Sequence, residues 1–444
     1  MRSLLALAYY FPPSGGPGVQ RTLRFVRDLP GLGWMPTVIS VRPRNAAWPS
    51  VDPALEAAIP PAVEVRRTAA FDMYAGYARL TGRKRNEVVS VGFADAGVPG
   101  PRERLARWIR GNIFLPDARV GWVPYARAEA RRLVRNRAFD AIWSTGPPHS
   151  THLAARSVAR ATGLPWVVDV RDAWPDPTYE HRLGTGRLAR RFDESLRSGV
   201  YDEASAIVAI GDHMADALRR ITKTPVHVIP NGYDATQFEA LEPMPHEGFE
   251  LLYTGNMPTE RNPEALWSAL ARLGDRAPHL RVRLVGTIDA SVRQAAEAAG
   301  VAHRVRFDAP VPHAEALGAM VSADALLLVV NRTVGAEGIL TGKVFEYVAS
   351  GRAVLGLGPV DGEADRVLRQ AGSGEMIDWD DVGRVTTKLL FLYDAWAAAG
   401  PVLGAAPAAA RTFSGASRSR EFASLLDGLV SGSTGGPSPS GSAA

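Results

Sequence analysis

Short apolar runs alternate with longer stretches of helical pattern along most of the chain. The runs are rich in Val, Ile and Leu and about four to eight residues long, which is typical of strands buried on both faces of a parallel sheet. The stretches between them repeat apolar residues at the spacing of a helix. The pattern predicts two successive series of β–α units, with strands at 4–11, 36–41, 140–145, 166–170, 206–210 and 226–229, and then at 250–255, 281–286, 304–307, 325–330 and 353–357.

The two series predict two doubly wound α/β domains in tandem, because 444 residues are also too many for one ordinary core. We expect an N-terminal domain at 1–236, a proline-containing linker at 237–248 and a C-terminal domain at 249–410. A last apolar helix at 411–430 is expected to pack back toward the N-terminal domain. The tail at 431–444 contains only Ser, Gly, Thr, Pro and Ala, and we expect it to be disordered.

Composition excludes several kinds of site. The chain has no cysteine, which removes disulfides, zinc–thiolate centres, iron–sulfur clusters and a cysteine nucleophile, and which fits a cytoplasmic protein. The first eleven residues have the charge and apolarity of a signal peptide, but no small-residue cleavage site follows, so we interpret them as the first strand. No run approaches the roughly 20 apolar residues that span a bilayer. An integral membrane protein is therefore not expected, and peripheral contact with the inner membrane face stays open.

The positive charge is concentrated in the N-terminal half. Residues 1–236 carry 33 Lys and Arg against 22 Asp and Glu, whereas residues 237–444 carry 18 against 24. Ten arginines fall within 102–137, interleaved with aromatic residues, in a predicted basic insertion at about 72–137. Such a stretch is typical of a nucleic-acid site, an anionic membrane surface or a site for a phosphorylated substrate, and equally of an ordinary solvated helix.

A glycine-rich segment, FPPSGGPGVQR at 11–21, follows the first predicted strand. Gly15 and Gly16 allow backbone N–H groups to approach a phosphate at a helix N-terminus. The dinucleotide fingerprint G-x-G-x-x-G is not met, because Arg21 stands at its third glycine position. The segment is either a phosphate site or a tight turn without a ligand.

Polar residues also follow two later strands of the N-terminal domain. His149 comes after the strand at 140–145, and Asp169, Arg171 and Asp172 lie at or just beyond the end of the strand at 166–170. Ligands of open α/β sheets bind at the carboxyl ends of the strands, so these residues are candidates for substrate binding. The alternatives are a helix cap for His149 and a simple ion pair between Asp169 and Arg171.

In the C-terminal half, Gly255 ends a predicted strand and Arg261 stands just before a helix start. A cation beside the free N–H groups of a helix N-terminus favours a phosphate. The alternative is an ordinary surface arginine.

The segment TGKVFEYVASG, which begins at Thr341, has the features of a second anion site. Thr341 is a candidate N-cap, the amides of Gly342 and Lys343 are exposed at the helix start, and Glu346 stands one turn on. A Walker A loop is excluded, because Glu and Val occupy the places of its first glycine and its final Ser or Thr. The alternative is a surface ion pair between Lys343 and Glu346, worth a few tenths of a kcal/mol.

Asp378 and Asp380 have the D-x-D spacing with which some glycosyltransferases hold a metal. Asp380 and Asp381, however, directly precede a helical pattern. We therefore interpret them as N-terminal caps rather than metal ligands.

In combination these segments resemble the family 4 glycosyltransferases, over about residues 1–430. The matching pieces are the glycine-rich segment, DVRDAWPD, IPNGYD, LLYTGNM with Arg261 after it, and TGKVFEYVASGRAVLGL. The last piece resembles the K-x-x-E-Y-x-A-x-G-x-x-V signature of a bacterial subgroup. The resemblance implies the α/β GT-B fold, in which two Rossmann-like doubly wound domains face each other across a cleft.

The resemblance also implies the reaction. A sugar would pass from a nucleotide diphosphate sugar to an acceptor hydroxyl with retention of configuration, without metal, cofactor or nucleic acid, in a polysaccharide, lipid-linked or secondary-metabolite pathway. The basic segment at 102–137, rather than the resemblance, suggests an acidic or phosphorylated acceptor as one possibility. The implied donor-binding residues are Gly15, Gly16, Gly255, Arg261, Thr341, Gly342, Lys343 and Glu346, with Arg261 and Lys343 on the diphosphate and Glu346 on the ribose. The implied acceptor-side residues are Arg21, His149, Arg171 and Asp172, and the catalytic candidates are Arg261, Lys343, Asp172 and His149.

The chain departs from the family pattern at three places. Eight positions before Glu346, where most members have a glutamate, stands Gly338, and Glu337 is one position off. Arg171 occupies a position where many members have histidine, and Asn256 one where they have arginine. Two other functions therefore stay open, a sugar-nucleotide epimerase and a non-catalytic sugar-nucleotide sensor.

Overall fold

The computed structural model describes residues 1–46, 48, 50–71, 73, 101–175 and 184–433. Most of the predicted basic insertion before residue 101, and the predicted tail from residue 434 on, lie outside the described residues. The chain forms two compact units. Among the described residues, the first contains those within 1–210, 214–230 and 419–433, and the second contains 211–213 and 231–418.

The N-terminal unit is built on a parallel sheet of seven strands in the order β3-β2-β1-β4-β5-β6-β7. The strands are β1 Arg2–Ala8, β2 Trp34–Val41, β3 Glu64–Thr68, β4 Ala141–Gly146, β5 Trp166–Val170, β6 Ala206–Ala209 and β7 Val226–Val228. The helices in this part of the chain are α1 Pro17–Asp28, α2 Pro101–Asn112, α3 Val123–Asn136, α4 Ser150–Thr162, α5 Arg187–Glu203 and α6 Asp212–Arg219.

The C-terminal unit repeats this plan with six parallel strands in the order β10-β9-β8-β11-β12-β13. The strands are β8 Phe249–Thr254, β9 Leu280–Val285, β10 Val305–Asp308, β11 Ala325–Val329, β12 Ala353–Leu357 and β13 Gly374–Ile377. The helices that follow in chain order are α7 Glu264–Leu273, α8 Ala290–Ala298, α9 His313–Ser322, α10 Gly342–Ala349, α11 Glu363–Ala371, α12 Val382–Ala399, α13 Pro407–Thr412 and α14 Gly415–Ser433.

Every apolar run predicted as a strand is a strand, within one to three residues at each end. The prediction missed β3 and β13, which are edge strands of their sheets. An edge strand has fewer buried positions to fill with apolar side chains, and β3 has the sequence EVRRT with only its last residue buried. The apolar pattern that identifies a central strand is therefore absent from it.

The strand orders bring β1 beside β4 and β8 beside β11. From β1 the next strands in the chain, β2 and β3, are added on one side of the sheet, and from β4 the later strands are added on the other side. The same reversal occurs between β8 and β11 in the second sheet. The carboxyl ends at such a reversal form a crevice, which is where open α/β sheets bind ligands. The fold thus predicts one ligand-binding edge in each unit.

The last helix, α14, packs into the N-terminal core. Phe422 is fully buried and stacks on Phe25 with a centroid distance of 4.8 Å. The Ser419 hydroxyl donates to Asp28 at 2.7 Å, and the Trp34 indole donates to Asp427 at 2.9 Å. Among the helices in the described part of the chain, none is both long and apolar enough to cross a membrane.

We expect Phe422→Ala to destabilise the N-terminal unit by about 3–5 kcal/mol, because it leaves a cavity beside Phe25. The measurement is the free energy of unfolding in a denaturant titration. Phe192→Ala, at a side chain that is 57% exposed, is the matched control. Equal losses in the two variants would show that α14 contributes little to the core.

Candidate functional site

Arg261 lies at the crevice between β8 and β11. It ends a short 3-10 turn after β8, its Nε donates to the Asn331 side-chain oxygen and its Nη1 donates to the Asn256 carbonyl at 2.9 Å. Asn331 comes two residues after the end of β11. Arg261 therefore links the loops that follow the two neighbouring strands, and its guanidinium is held at the reversal point of the sheet.

Lys343 lies beside Arg261. It is the second residue of α10, and its Nζ stands 3.9 Å from the ring centre of Tyr253, a geometry in which the ring face attracts a cation. The Tyr253 hydroxyl donates to the Asn256 carbonyl at 2.6 Å, the same oxygen that accepts from Arg261. Gly255 has a positive φ of 103°, and a Cβ at this residue would stand 3.0 Å from the Lys343 amine. A glycine at this position therefore avoids a close contact with the amine.

The electrostatics of this pair favour an anionic ligand. Burial and, to a smaller extent, the charge of Arg261 lower the pKa of Lys343, Glu346 opposes the shift, and the resulting pKa is about 7. Two cations at one partly buried edge repel each other, and a bound anion would offset that cost. A diphosphate carries the charge and the acceptor oxygens that both side chains can bind.

Glu346 pairs with a residue that the sequence did not indicate. Its Oε1 is 3.0 Å from His313 Nε2, and this hydrogen bond raises the pKa of His313. The alternative surface pair of Lys343 with Glu346 is therefore not the contact that forms. Thr341 stands at the N-cap position of α10 as predicted, but its side chain makes no capping hydrogen bond. The helix start thus offers its amides to a ligand.

In the N-terminal unit, Arg21 is buried in an ion pair. Its Nη2 is 3.0 Å from Asp169, its Nη1 donates to the Pro230 carbonyl at 2.9 Å, and the Thr145 hydroxyl donates to the same aspartate at 2.8 Å. Asp169 therefore pairs with Arg21 rather than with Arg171, which corrects the alternative drawn from the sequence. This geometry accounts for Arg21 without an acceptor substrate.

Arg171 and Asp172 leave the end of β5 in different environments. The Arg171 side chain is buried and donates to the backbone carbonyls of Gly146, Pro147 and Gly18. Asp172 is exposed. Within the glycine-rich segment, Gly16 is the N-cap of α1 with a positive φ of 95°, and no side chain caps this helix.

His149 is an almost buried imidazole with one free nitrogen. Its ring stacks on Trp174 at a centroid distance of 4.8 Å, and its Nε2 donates to the Ala173 carbonyl at 3.2 Å. Burial lowers the pKa of His149, against the opposing charges of Asp117 and Asp172. Its Nδ1 has no hydrogen-bond partner among the described residues. A neutral imidazole in this state can accept a proton or a hydrogen bond from a hydroxyl.

The capping role considered for His149 belongs to another residue. His149 stands at the N-cap position of α4 without a side-chain cap bond. Asp117 accepts from the Ser150 amide at 2.8 Å and from its hydroxyl at 2.9 Å instead. The histidine ring therefore does not cap α4, and its Nδ1 stays buried without a hydrogen-bond partner among the described residues.

The D-x-D segment has a structural explanation. Asp381 caps α12 by accepting from the Arg384 amide at 2.9 Å, as predicted. Asp380 instead forms an ion pair with Arg332 at 2.7 Å. Across the described residues there is no group of three or more His, Asp or Glu side chains placed to hold a metal ion.

Several residues that touch the candidate site residues carry little functional signal in the sequence. Tyr253 lies inside an apolar strand and Trp174 follows the DVRDA segment, so both have the pattern of core residues. His313 directly follows Pro312 at a helix start, which is the one local signal that could have marked it. The missed residues are Tyr253, Trp174, His313 and Asn331.

Comparison with known proteins identifies the family that the N-terminal part of the chain matches. Residues 76–237 match the model of Glycosyltransferase Family 4. No curated protein sequence matches the chain at a significant level. The match to the family model confirms the predicted resemblance to the family 4 glycosyltransferases and the predicted enzyme class, a glycosyltransferase, while the resemblance to a bacterial subgroup stays a prediction.

Solved structures share the fold along nearly the whole chain. A glycosyltransferase from Rickettsia africae has a TM-score of 0.60 and 13% identity, covering 97% of this chain and 98% of its own. The Anabaena protein HepE in complex with UDP and glucose has a TM-score of 0.58 and 14% identity, with coverages of 96% and 100%. A Listeria monocytogenes structure assigned as a UDP-N-acetylglucosamine 2-epimerase has a TM-score of 0.54 and 11% identity, with coverages of 97% for both chains.

At these identities the likeness concerns the fold. It confirms two Rossmann-like domains of the GT-B type. Because an epimerase structure has the same fold, the fold by itself does not decide between sugar transfer and epimerisation.

The lowered pKa of Lys343 has a consequence for stability. In the unfolded chain the amine titrates near 10.5 and in the folded protein near 7, so the unfolded state binds more protons between these values and stability rises with pH there. We therefore expect Lys343→Met to be more stable than the parent protein at pH 6–7, with an advantage that fades as the pH approaches about 10. Thermal unfolding across this pH range measures it.

Lys223→Met, at an exposed lysine, corrects for the general loss of one positive charge. A Lys343→Met curve that runs parallel to the parent curve at all pH values would mean that the amine is not desolvated.

Proposed function

We propose that the chain is a retaining, metal-independent glycosyltransferase that moves a sugar from a nucleotide diphosphate donor to an acceptor hydroxyl. The observation that supports it best is the pair of cations, Arg261 and Lys343, held together at the carboxyl end of β8. The family match and the HepE complex with UDP and glucose support the same class of donor.

The donor occupies the β8–β11 edge in this proposal. Its diphosphate lies against Arg261, Lys343 and the amides of Thr341 and Gly342 at the start of α10, where the helix dipole also favours an anion. Gly255 gives the phosphates close access to the backbone. Glu346 accepts hydrogen bonds from the ribose hydroxyls and exchanges its contact with His313 for them.

The same contacts supply the chemical step. Negative charge grows on the diphosphate as the glycosidic bond breaks, and fixed cations and helix amides stabilise it. Lys343, whose pKa is near 7 without a ligand, takes up a proton as the diphosphate binds and then carries its full charge. With these cations on the leaving group, no metal is needed. The acceptor attacks from the leaving-group side, so retention requires no protein nucleophile.

The acceptor side of the proposal is the edge of the N-terminal sheet. The exposed Asp172 accepts hydrogen bonds from acceptor hydroxyls. The Nδ1 of His149 has no partner among the described residues but is buried, so a hydroxyl reaches it only by displacing the side chains that cover it. The amide of Gly16, at the exposed N-cap of α1, provides a further donor for a phosphate oxygen, whereas the Gly15 amide is taken by the Ser50 carbonyl. The arginine-rich character of this unit favours an acidic or phosphorylated acceptor.

A sugar-nucleotide epimerase is the second candidate, because the Listeria epimerase structure shares the fold. It would use the same nucleotide site but release no nucleotide. A sensor would bind the nucleotide sugar and change nothing.

A panel of nucleotide sugars, assayed for nucleotide release with and without candidate acceptors, separates the three functions. We expect the acceptor to stimulate nucleotide release, the product to retain the anomeric configuration, and the rate of release to be unchanged in EDTA. An altered sugar without release would favour the epimerase, and binding without either would favour the sensor. A rate lost in EDTA would contradict the metal-independent step.

Lys343→Ala belongs in the same assay. We expect it to lower turnover by about 10²- to 10³-fold, as removal of one transition-state donor does elsewhere, without loss of thermal stability. Lys223→Ala is the matched control. A Lys343→Ala enzyme with normal turnover and reduced stability would show that the lysine is structural.

We further propose that the protein works in the cytoplasm against the anionic inner face of a membrane. Helices α2 and α5 contact each other where the Asn112 side chain accepts from the Gly186 amide at 2.8 Å. Around them apolar side chains are exposed beside exposed arginines, a combination that suits anionic lipids. The apolar residues are Trp108 at 51%, Ile113 at 57%, Leu188 at 82% and Phe192 at 57% exposure, and the arginines are Arg104, Arg187, Arg190 and Arg191.

Sedimentation with vesicles tests this surface. We expect the protein to bind phosphatidylcholine vesicles only when they contain phosphatidylglycerol, and Arg187→Glu with Arg191→Glu, or Leu188→Ser with Phe192→Ser, to abolish binding. The controls are Arg306→Glu and Val334→Ser, at two exposed residues of the other unit. Binding that the controls weaken just as much would assign the attraction to overall charge.

A further inference from the structure

Arg171 makes an unusual set of contacts for a buried cation. All three guanidinium nitrogens donate to backbone carbonyls: Nε to Gly146 at 3.0 Å, Nη2 to Pro147 at 3.0 Å, and Nη1 to Gly18. Its own amide donates to the Gly146 carbonyl at 3.1 Å. The side chain is only 8% exposed. It therefore ties three chain segments together, which leave the ends of β1, β4 and β5.

The charge of Arg171 is balanced without a direct ion pair. Burial lowers its pKa, and the nearby carboxylates of Asp169 and Asp172 oppose that shift. The hydrogen bonds of Asp169, however, go to Arg21 and Thr145. Among the described residues, the planar guanidinium of Arg171 therefore donates only to the backbone carbonyls. A lysine could not bind all three carbonyls, because it lacks the fixed planar arrangement of N–H donors.

Gly18 is matched to this guanidinium. A Cβ on residue 18 would stand 2.9 Å from Arg171 Nη1, closer than such atoms approach. The first turn of α1 therefore has a glycine where the arginine crosses it. On its other side, the glycine-rich segment is held by the Gly15 amide, which donates to Ser50 at 3.0 Å, and by the Asp52 amide, which donates to Pro13 at 2.7 Å.

The carbonyls of Gly146 and Pro147 that bind Arg171 lie just before His149 in the chain. Pro147 is two residues before His149, and the Thr151 amide donates to the Pro148 carbonyl at 3.1 Å. Arg171 thus holds both the turn that begins the His149 helix and the first turn of α1. These are the two segments of this unit to which the proposed function gives substrate contacts.

We propose that Arg171 is a positioning residue that fixes the glycine-rich segment against the 146–148 turn, so that the amides at the start of α1 and the His149 ring are held ready for substrate. This inference rests on the proposed function for the identity of the substrate, but not for the existence of the contact. Arg171 itself touches neither donor nor acceptor.

The first experiment measures the contact without any turnover. Hydrogen exchange followed by mass spectrometry compares the parent protein with Arg171→Lys, Arg171→Ala and Gly18→Ala in peptides covering 11–25 and 144–155. We expect exchange to rise at least about tenfold in both peptides in all three variants, while peptides from β5 and β6 stay unchanged. Arg219→Lys, at a surface arginine of the same unit, is the control.

The second experiment measures the kinetic effect. We expect Arg171→Lys to lower kcat/KM by about 10- to 100-fold at nearly unchanged melting temperature, because a displacement of about 1 Å is enough for such a loss. Added guanidinium should restore part of the activity of Arg171→Ala, because it can bind where the arginine guanidinium was. It should restore none of the activity of Gly18→Ala, because that variant keeps Arg171 and adds a methyl group where the guanidinium binds.

The outcomes separate the two proposals. Unchanged exchange in both peptides would overturn the positioning role, and so would increased exchange spread over the whole N-terminal unit with normal turnover per folded molecule. A parent protein that transfers no sugar would overturn the proposed function, while the exchange comparison would still decide the role of Arg171.

Discussion

The reversal of strand order in each parallel sheet is the constraint on which the candidate sites depend. Parallel strands need crossover connections, and where these turn in opposite directions the carboxyl ends of two neighbouring strands are left with a crevice between their loops. Here the pairs are β1 with β4 and β8 with β11. In each unit one arginine joins the two loops, since Arg261 binds Asn331 and Arg171 binds both Gly18 and Gly146.

The two edges differ in how they treat charge. In the N-terminal unit Arg21 and Asp169 neutralise each other in the interior, and removing one partner of such a pair costs about 3–5 kcal/mol because the other is left buried and unpaired. In the C-terminal unit burial, with the repulsion of Arg261 added to it, lowers the pKa of Lys343 to about 7. The first arrangement stabilises the fold, whereas the second stores an unfavourable interaction that an anion relieves. This difference is why the donor is assigned to the second edge.

Local sequence predicted the candidate site residues better than it predicted their partners. Arg261 and Lys343 stand at a strand end and a helix start, and both positions can be read from a short window of sequence. Their neighbours Asn331 and Tyr253 are 70 and 90 residues away in the chain. Asp169, for which an ion pair with Arg171 was the alternative to substrate binding, pairs with Arg21 instead, because α1 brings Arg21 onto the same strand end. A contact between distant segments depends on the sheet order, which no local window contains.

The sequence by itself determined the fold class, the central strands of both sheets and the start of α10, because buried strands and helix N-termini require particular residues at adjacent positions. Only the tertiary structure decided the edge strands β3 and β13, the pairing of Glu346 with His313 and the role of Arg171. Each of these depends on which segments meet in space. Burial and desolvation arise only from that meeting, so the lowered pKa of Lys343 could not be read from the chain alone.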